Sequence, residues 1–229
     1  VGLVGMGFGA EFAPIYLYHP DVKRIVICDK DEEKVKIVAD RYGVEEWTTS
    51  FDSLLSDPDI DAIHLVSPIP LHAKQSIAAL KSGKHCACTV PMATSLEDIQ
   101  GIINAVKESG KNYSMMETQI YNRITLWVKE LAVRGEFGRI QLLRGAHYQD
   151  MENWPPYWAG LPPMWYGTHA ISPIFDIAGC RATSVHCFGS GYMREELQKQ
   201  YNNPFPIETA IFKMESGIAA EVTRALFYS

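Results

Sequence analysis

Over the first half of the chain, short apolar, β-branched runs alternate with patterns of helical period. Runs at 1–4, 22–28, 62–66, 85–89 and 112–117 predict five strands. Apolar residues returning every three to four positions predict helices at 10–19, 31–42, 71–82 and 95–109, and Gly43, Gly83 and Gly110 follow the last three. Thr94-Ser95-Leu96-Glu97 has the form of a capping box for the fourth helix. Such alternation builds βαβ units around a parallel sheet, so this half reads as a doubly wound α/β domain.

Past residue 120 the pattern lengthens. An amphipathic helix at 122–134 precedes long alternating runs at 138–149, 182–189, 206–215 and 217–228, which predict an antiparallel sheet. Between the first two runs lie an aromatic, Pro-rich loop at 150–166 and a short helix at 167–177. Two domains are therefore expected, α/β at 1–120 and α+β with a mostly antiparallel open sheet at 121–229.

Composition narrows the class. With 229 residues, 47% hydrophobic and 21% charged, the chain can bury a core in each domain. A net charge of −6 without any Lys/Arg block argues against nucleic acid as a partner. No apolar run approaches the roughly 18 residues that cross a bilayer, so no membrane partner is expected and the chain reads as cytoplasmic. Cys28, Cys86, Cys88, Cys180 and Cys187 are odd in number and mostly lie in apolar runs, which reads as reduced core thiols with no metal site. His64 and His186, inside β runs, read as core residues. A start at Val1 and an end just after a strand-like run give the expectation of a longer polypeptide whose further strands complete the second sheet.

Candidate chemistry begins at Gly5-Met6-Gly7-Phe8-Gly9-Ala10, which follows the first predicted strand and opens a helix. It fits G-x-G-x-x-A: a tight turn at Gly5, close approach of backbone to a pyrophosphate at Gly7, and close helix–strand packing at Ala10. Asp29, 24 residues after Gly5 and just past the second strand, is placed to accept hydrogen bonds from ribose hydroxyls. Its carboxylate opposes a 2′-phosphate, favouring NAD over NADP, although Lys30 beside it softens the contrast. Ser67-Pro68-Ile69-Pro70-Leu71-His72 follows the third strand at the ligand edge of the sheet, where Ser67, Pro68 and His72 are candidates for the nicotinamide side.

Together with Gly83-Lys84-His85 running into Cys88-Thr89-Val90-Pro91, and with the change to a long-stranded second half, these motifs resemble the glucose-fructose oxidoreductase, inositol dehydrogenase and MocA-type family. The resemblance covers essentially the whole chain. It implies a Rossmann domain, bound NAD(P) touching the glycine segment with Phe8 and Gly9 as well as Thr89 and Pro91, a sugar-like or polyol-like substrate, and a homo-oligomer formed through the second sheet. Family dehydrogenases carry Glu-Lys-Pro where Thr89-Val90-Pro91 stands, and their Lys assists proton removal. The family's Asp-x-Gly-x-His appears as Trp165-Tyr166-Gly167-Thr168-His169, with Trp165 in place of Asp.

Met116-Glu117-Thr118-Gln119-Ile120-Tyr121 and the spacing Tyr166-x-x-His169 are similar to one branch of that family, the NAD-dependent glycosidases related to α-N-acetylgalactosaminidase. That likeness implies Glu117, Tyr166 and His169 as active-site residues, and a redox-neutral route through transient oxidation of the sugar. His147, Gln149 and Asp150, at the end of a predicted strand, are of the types that bind sugar hydroxyls, and Trp154, Trp158 and Trp165 could stack on a pyranose face. Three functions follow: an NAD-dependent oxidoreductase of a sugar or polyol with His169 and Tyr166 as acid and base, a redox-neutral NAD-dependent glycosidase, or a silent NAD- or sugar-binding protein that lost the Lys.

Overall fold

A computed structural model describes residues 1–227; the end of the strand expected at 217–228 lies outside the described residues. Contacts divide the chain into two compact units, Val1–Met116 and Glu117–Ser229.

The first unit has six parallel strands: β1 (Gly2–Val4), β2 (Val26–Cys28), β3 (Glu46–Thr48), β4 (Ala62–Leu65), β5 (His85–Thr89) and β6 (Tyr113–Met116). Their order is β3-β2-β1-β4-β5-β6, the doubly wound arrangement in which ligands bind beyond the carboxyl ends of the strands. The helices are α1 (Ala13–Tyr18), α2 (Glu32–Tyr42), α3 (Phe51–Ser56), α4 (His72–Lys81) and α5 (Leu96–Ser109). Residues alternate between two cores along each strand. Leu3 and Ile27 pack with Val35 and Val38 on one face, while Val4, Ile63, Leu65, Cys86 and Cys88 pack with Ile102 and Ala105 on the other. Burial on both faces makes such strands continuous apolar runs rather than alternating ones.

Three local differences from the expected elements stand out. The helix expected at 10–19 is instead a 3-10 turn, Phe8–Phe12, followed by α1, because Pro14 is accommodated only in a helix's first turn. The cap of α5 is Ser95, not Thr94; its side chain accepts the Asp98 N–H at 3.1 Å. Strand β3 and α3 were not expected, since a three-residue edge strand with Glu46 and Trp47 exposed shows no apolar run. Buried Lys84 donates from Nζ to the carbonyls of Asp57 and Ile60, which satisfies backbone that would otherwise be orphaned.

In the second unit, 3-10 turns at Gln119–Tyr121, Pro156–Trp158 and Pro163–Tyr166 accompany α6 (Arg123–Val133), β7 (Leu142–Tyr148), α7 (Thr168–Ala178), β8 (Ala182–Ser190), α8 (Glu195–Gln198), β9 (Ile207–Met214) and β10 (Ala219–Ala225). The sheet order is β7-β10-β9-β8. Neighbours β8/β9 and β9/β10 are antiparallel, but β7 runs parallel to β10. The sheet is therefore mixed, because the helical connection through α7 returns the chain so that β7 and β8 run the same way. On one face α7 packs Ala170 and Ile174 against Ala210, Phe212, Ala220 and Val222.

Cys28, Cys86 and Cys88 are buried free thiols, pushed up to about 11, 11 and 12 chiefly by burial. The core reading fails for Cys187 and His186: both are exposed on β8, an edge strand that α7 does not cover. His64 is a core residue, 1% exposed, its Nδ1 hydrogen-bonded to the Tyr16 hydroxyl at 2.9 Å.

Candidate active site

The carboxyl ends of β1, β2, β4 and β5 carry the glycine segment, Asp29, Ser67-Pro68 and Thr89-Val90-Pro91, and parallel pairing puts all four at one edge of the first sheet. Gly5 has φ +94°, and a Cβ there would lie 2.6 Å from the Val66 carbonyl oxygen, so only glycine fits. A Cβ on Gly7, by contrast, would meet nothing within 4 Å. That open space beside bare backbone, at the start of the 3-10 turn, fits a pyrophosphate.

Asp29 ties this loop together. Its Oδ2 accepts the Met6 N–H at 2.7 Å and its Oδ1 the Asp31 N–H at 3.0 Å, while the residue stays partly exposed for hydroxyl donors. Lys30 and Phe8 are exposed, and Gly9 and Ala10 are buried in the packing of the turn. Ser67 meets Gln75 through its hydroxyl. His72 has a different place from the one expected: it is 1% exposed, with Nδ1 at 2.7 Å from the Pro91 carbonyl and Nε2 at 2.7 Å from that of Ser67. Both ring nitrogens face backbone, so His72 braces two loops from beneath. Thr89 donates from Oγ1 to the Leu65 carbonyl at 3.2 Å, and Val90, where family dehydrogenases have Lys, is buried.

The second unit brings three of the sequence candidates into one hydrogen-bonded chain. Tyr166 closes a 3-10 turn and His169 is the second residue of α7, so three residues of chain suffice to bring their rings together. Oε1 of Glu117 lies 2.7 Å from Nδ1 of His169, and Nε2 of His169 lies 3.0 Å from the Tyr166 hydroxyl. Glu117 is 4% exposed, and the same Oε1 accepts the Gln119 N–H at 2.8 Å. Burial pushes its carboxyl up, but the hydrogen bonds from His169 and Gln119 outweigh this and hold it below the usual range. An ionised Glu117 accepts Nδ1–H, which assigns the tautomer and leaves Nε2 as acceptor for the phenol. Burial raises the Tyr166 phenol, and the Arg224 charge offsets part of that.

Around this chain the other candidates take separate places. The His147 ring lies 5.8 Å from that of His169, with Nδ1 buried and unpartnered among the described residues; burial first, then Arg224, pushes it down to about 4. Gln149 gives its Oε1 to Arg224 at 2.8 Å, and Asp150 accepts the Glu152 N–H at 3.0 Å. Trp158 is buried edge-on against Tyr166 at 4.9 Å; Trp154 and Trp165 stay partly exposed, against Trp158 and Tyr201.

Sequence reasoning missed Arg224, which is wholly buried. The signal was its phase: Ala220, Val222 and Arg224 share the face of β10 that meets the core, so an arginine stands in an apolar register. Its Nε donates to the Tyr166 carbonyl, Nη1 to those of His147 and Ala225, and Nη2 to Gln149, all at 2.8–2.9 Å.

The family described as an oxidoreductase family with an NAD-binding Rossmann fold matches residues 1–117. Among curated relatives, glycosyl hydrolase family 109 protein 1 of Phocaeicola vulgatus is 26% identical over 205 residues, 81% of this chain and 42% of the relative. Levoglucosan dehydrogenase of Pseudarthrobacter phenanthrenivorans is 34% identical over 161 residues, 66% of this chain and 41% of that protein. A solved levoglucosan dehydrogenase in complex with NADH and levoglucosan superposes with a TM-score of 0.83 at 26% identity, covering 98% of this chain and 66% of the solved one. The chain thus spans less than half the length of these two curated relatives.

Proposed function

The chain belongs to the Gfo/Idh/MocA-type oxidoreductase family, whose NAD-binding Rossmann fold it carries, and from that premise we propose that it transfers hydride between NAD and a hydroxyl-bearing carbon of a sugar or polyol. When bound, NAD supplies the hydride acceptor. The remaining work, moving a proton from the substrate hydroxyl, falls to Tyr166, His169 and Glu117. The observation carrying this reading is the unbroken chain from carboxylate to imidazole to phenol. As the Tyr166 proton passes to Nε2 of His169, the phenolate oxygen becomes a base for the substrate hydroxyl, and Glu117 stabilises the imidazolium formed. Val90 has no proton to move, so these three groups take over the part that Lys has in family dehydrogenases.

One observation favours a second reading. A chain that carries an apolar Val90 and also an intact Glu117, Tyr166 and His169 fits a transient oxidation that returns its hydride, the redox-neutral glycosidase route, and relatives named glycosyl hydrolase family 109 match 205 residues. Turnover of polyols, free sugars and aryl glycosides, followed by the absorbance of reduced nicotinamide, separates the two. Net accumulation of NADH with product supports the dehydrogenase; release of aglycone without it supports the glycosidase. Specific NAD binding with no turnover of any of these would leave a binding protein. In either enzyme His169→Ala is expected to abolish turnover and spare NAD binding, and wild-type rates in that variant refute the assignment.

The family resemblance also leads us to propose a homo-oligomer through the second sheet. Supporting it, Leu142, Tyr148, Phe188 and Ile211 are exposed on the sheet face opposite α7. Light scattering of the purified protein checks this.

A further inference from the structure

Arg224 lies on β10 directly between His147 on β7 and Glu208 on β9, on the sheet face that carries α7. Burying a guanidinium is costly unless its donors are met, and here the donors fan out to the carbonyls of Tyr166, His147 and Ala225 and to the amide oxygen of Gln149. Two of these carbonyls belong to the residues whose side chains flank His169. The guanidinium carbon also lies over the Tyr166 ring, 5.2 Å from its centroid.

We propose that Arg224 is the positioning residue of the Glu117-His169-Tyr166 chain: it fixes Tyr166 from behind, and its charge over the ring favours the phenolate whenever Tyr166 gives up its proton. This rests on the proton-transfer reading above. An arginine suits the task because it stays charged while buried and its planar fork meets several acceptors at once, which a lysine cannot do. The other titratable groups facing Tyr166 act differently. His169 on α7 takes its proton, while Glu117 and Tyr157 oppose the phenolate. Glu208 on β9 is engaged with the Met164 N–H at 2.6 Å, and His147 is neutral near pH 7. Arg224 is thus the group that lowers the phenol against the effect of burial.

Titration of Tyr166 by NMR of carbon-labelled tyrosine, assigned by its loss in Tyr166→Phe, tests the proposal without any need for substrate. In Arg224→Gln the titration is expected to move up by about one pH unit or more, the usual effect of losing a neighbouring opposite charge. Arg224→Lys is expected to restore part of the shift. If Arg224→Gln does not fold, Gln149→Glu serves: it keeps the bond to Nη2 and sets a carboxylate against the guanidinium, and it is expected to move the titration the same way. An unshifted Tyr166 in a folded Arg224→Gln, or in Gln149→Glu where that variant replaces it, overturns the role of Arg224. Wild-type turnover by Tyr166→Phe overturns instead the reading on which it rests.

Discussion

A phenol gives up its proton to an imidazole readily only when the resulting imidazolium is stabilised, and the oxygen placed to do so is Oε1 of Glu117, 2.7 Å from His169. Glu117→Gln keeps the shape but offers no charge, and its amide can present N–H to Nδ1 and so invert the tautomer. Turnover is expected to fall by about 10² to 10⁴, the range for a lost acid–base group, with NAD affinity unchanged. Steady-state kinetics beside NAD titration read both. The sign of the pH effect on stability also follows. The carboxyl titrates below its ordinary range in the folded state, so its contribution is present above the unfolded value and is lost as pH falls through the folded one. Acid unfolding of Glu117→Gln is accordingly expected to depend less on pH than that of the parent. Spacing and likeness made these three residues legible in the sequence. Arg224 was not, because a single arginine in an alternating run is ordinarily a solvated position.

Elements set the distances that the residues need. His169 is carried by α7, and α7 can approach β7 closely because Gly145 has no side chain: a Cβ there would lie 2.7 Å from Cδ1 of Ile174 and 3.0 Å from the Ala170 carbonyl. The methyl group of Ile174 can turn aside; helix backbone cannot. Gly145→Ala is therefore expected to push α7 outward, costing about 1–3 kcal/mol as overpacking does, and to lower turnover by lengthening the hydrogen bond between His169 and Glu117. Thermal melting and kinetics on the same variant check this, and an unchanged melting temperature with unchanged turnover contradicts it. Elements with long apolar or periodic runs, such as α5 and β9, were visible in the sequence to within a residue or two. Those hidden from it, β3 and α3, are three and six residues long: edge position leaves β3 little apolar pattern, and α3 is too short to repeat its Phe51, Leu54 and Leu55 spacing. Likewise the parallel pairing of β7 with β10 depends on where a helical crossover lands, which alternation along a strand does not encode.

At the scale of the molecule, each of the two units has its own core and an imidazole that burial keeps neutral: His64 in the first, where His72 is buried too and lowered in the same direction, and the half-buried His147 in the second. Burial pushes His64 and His147 down to about 4, from an ordinary value of 6.5. A base whose folded value is lowered binds fewer protons folded than unfolded. Its contribution to stability is therefore complete above the unfolded value and is lost as pH falls from 6.5 toward 4. For His64, 1% exposed, the loss is on the order of 3 kcal/mol, a large share of the stability of a domain this size. Acid is thus expected to weaken the first unit in that window. His64→Gln, which keeps a side-chain partner for the Tyr16 hydroxyl 2.9 Å from Nδ1, removes the titrating group. The melting temperature of that variant is expected to change less between pH 6.5 and 4 than that of the parent, the remainder including the share of His72. Parallel pH profiles for the two proteins would place the cause of acid sensitivity elsewhere. Since the first unit carries the glycine segment and Asp29, NAD binding at the acid end of this interval is expected to be lost on heating at a lower temperature in the parent than in His64→Gln. That second measurement distinguishes unfolding of the NAD-binding unit from titration of groups in the second.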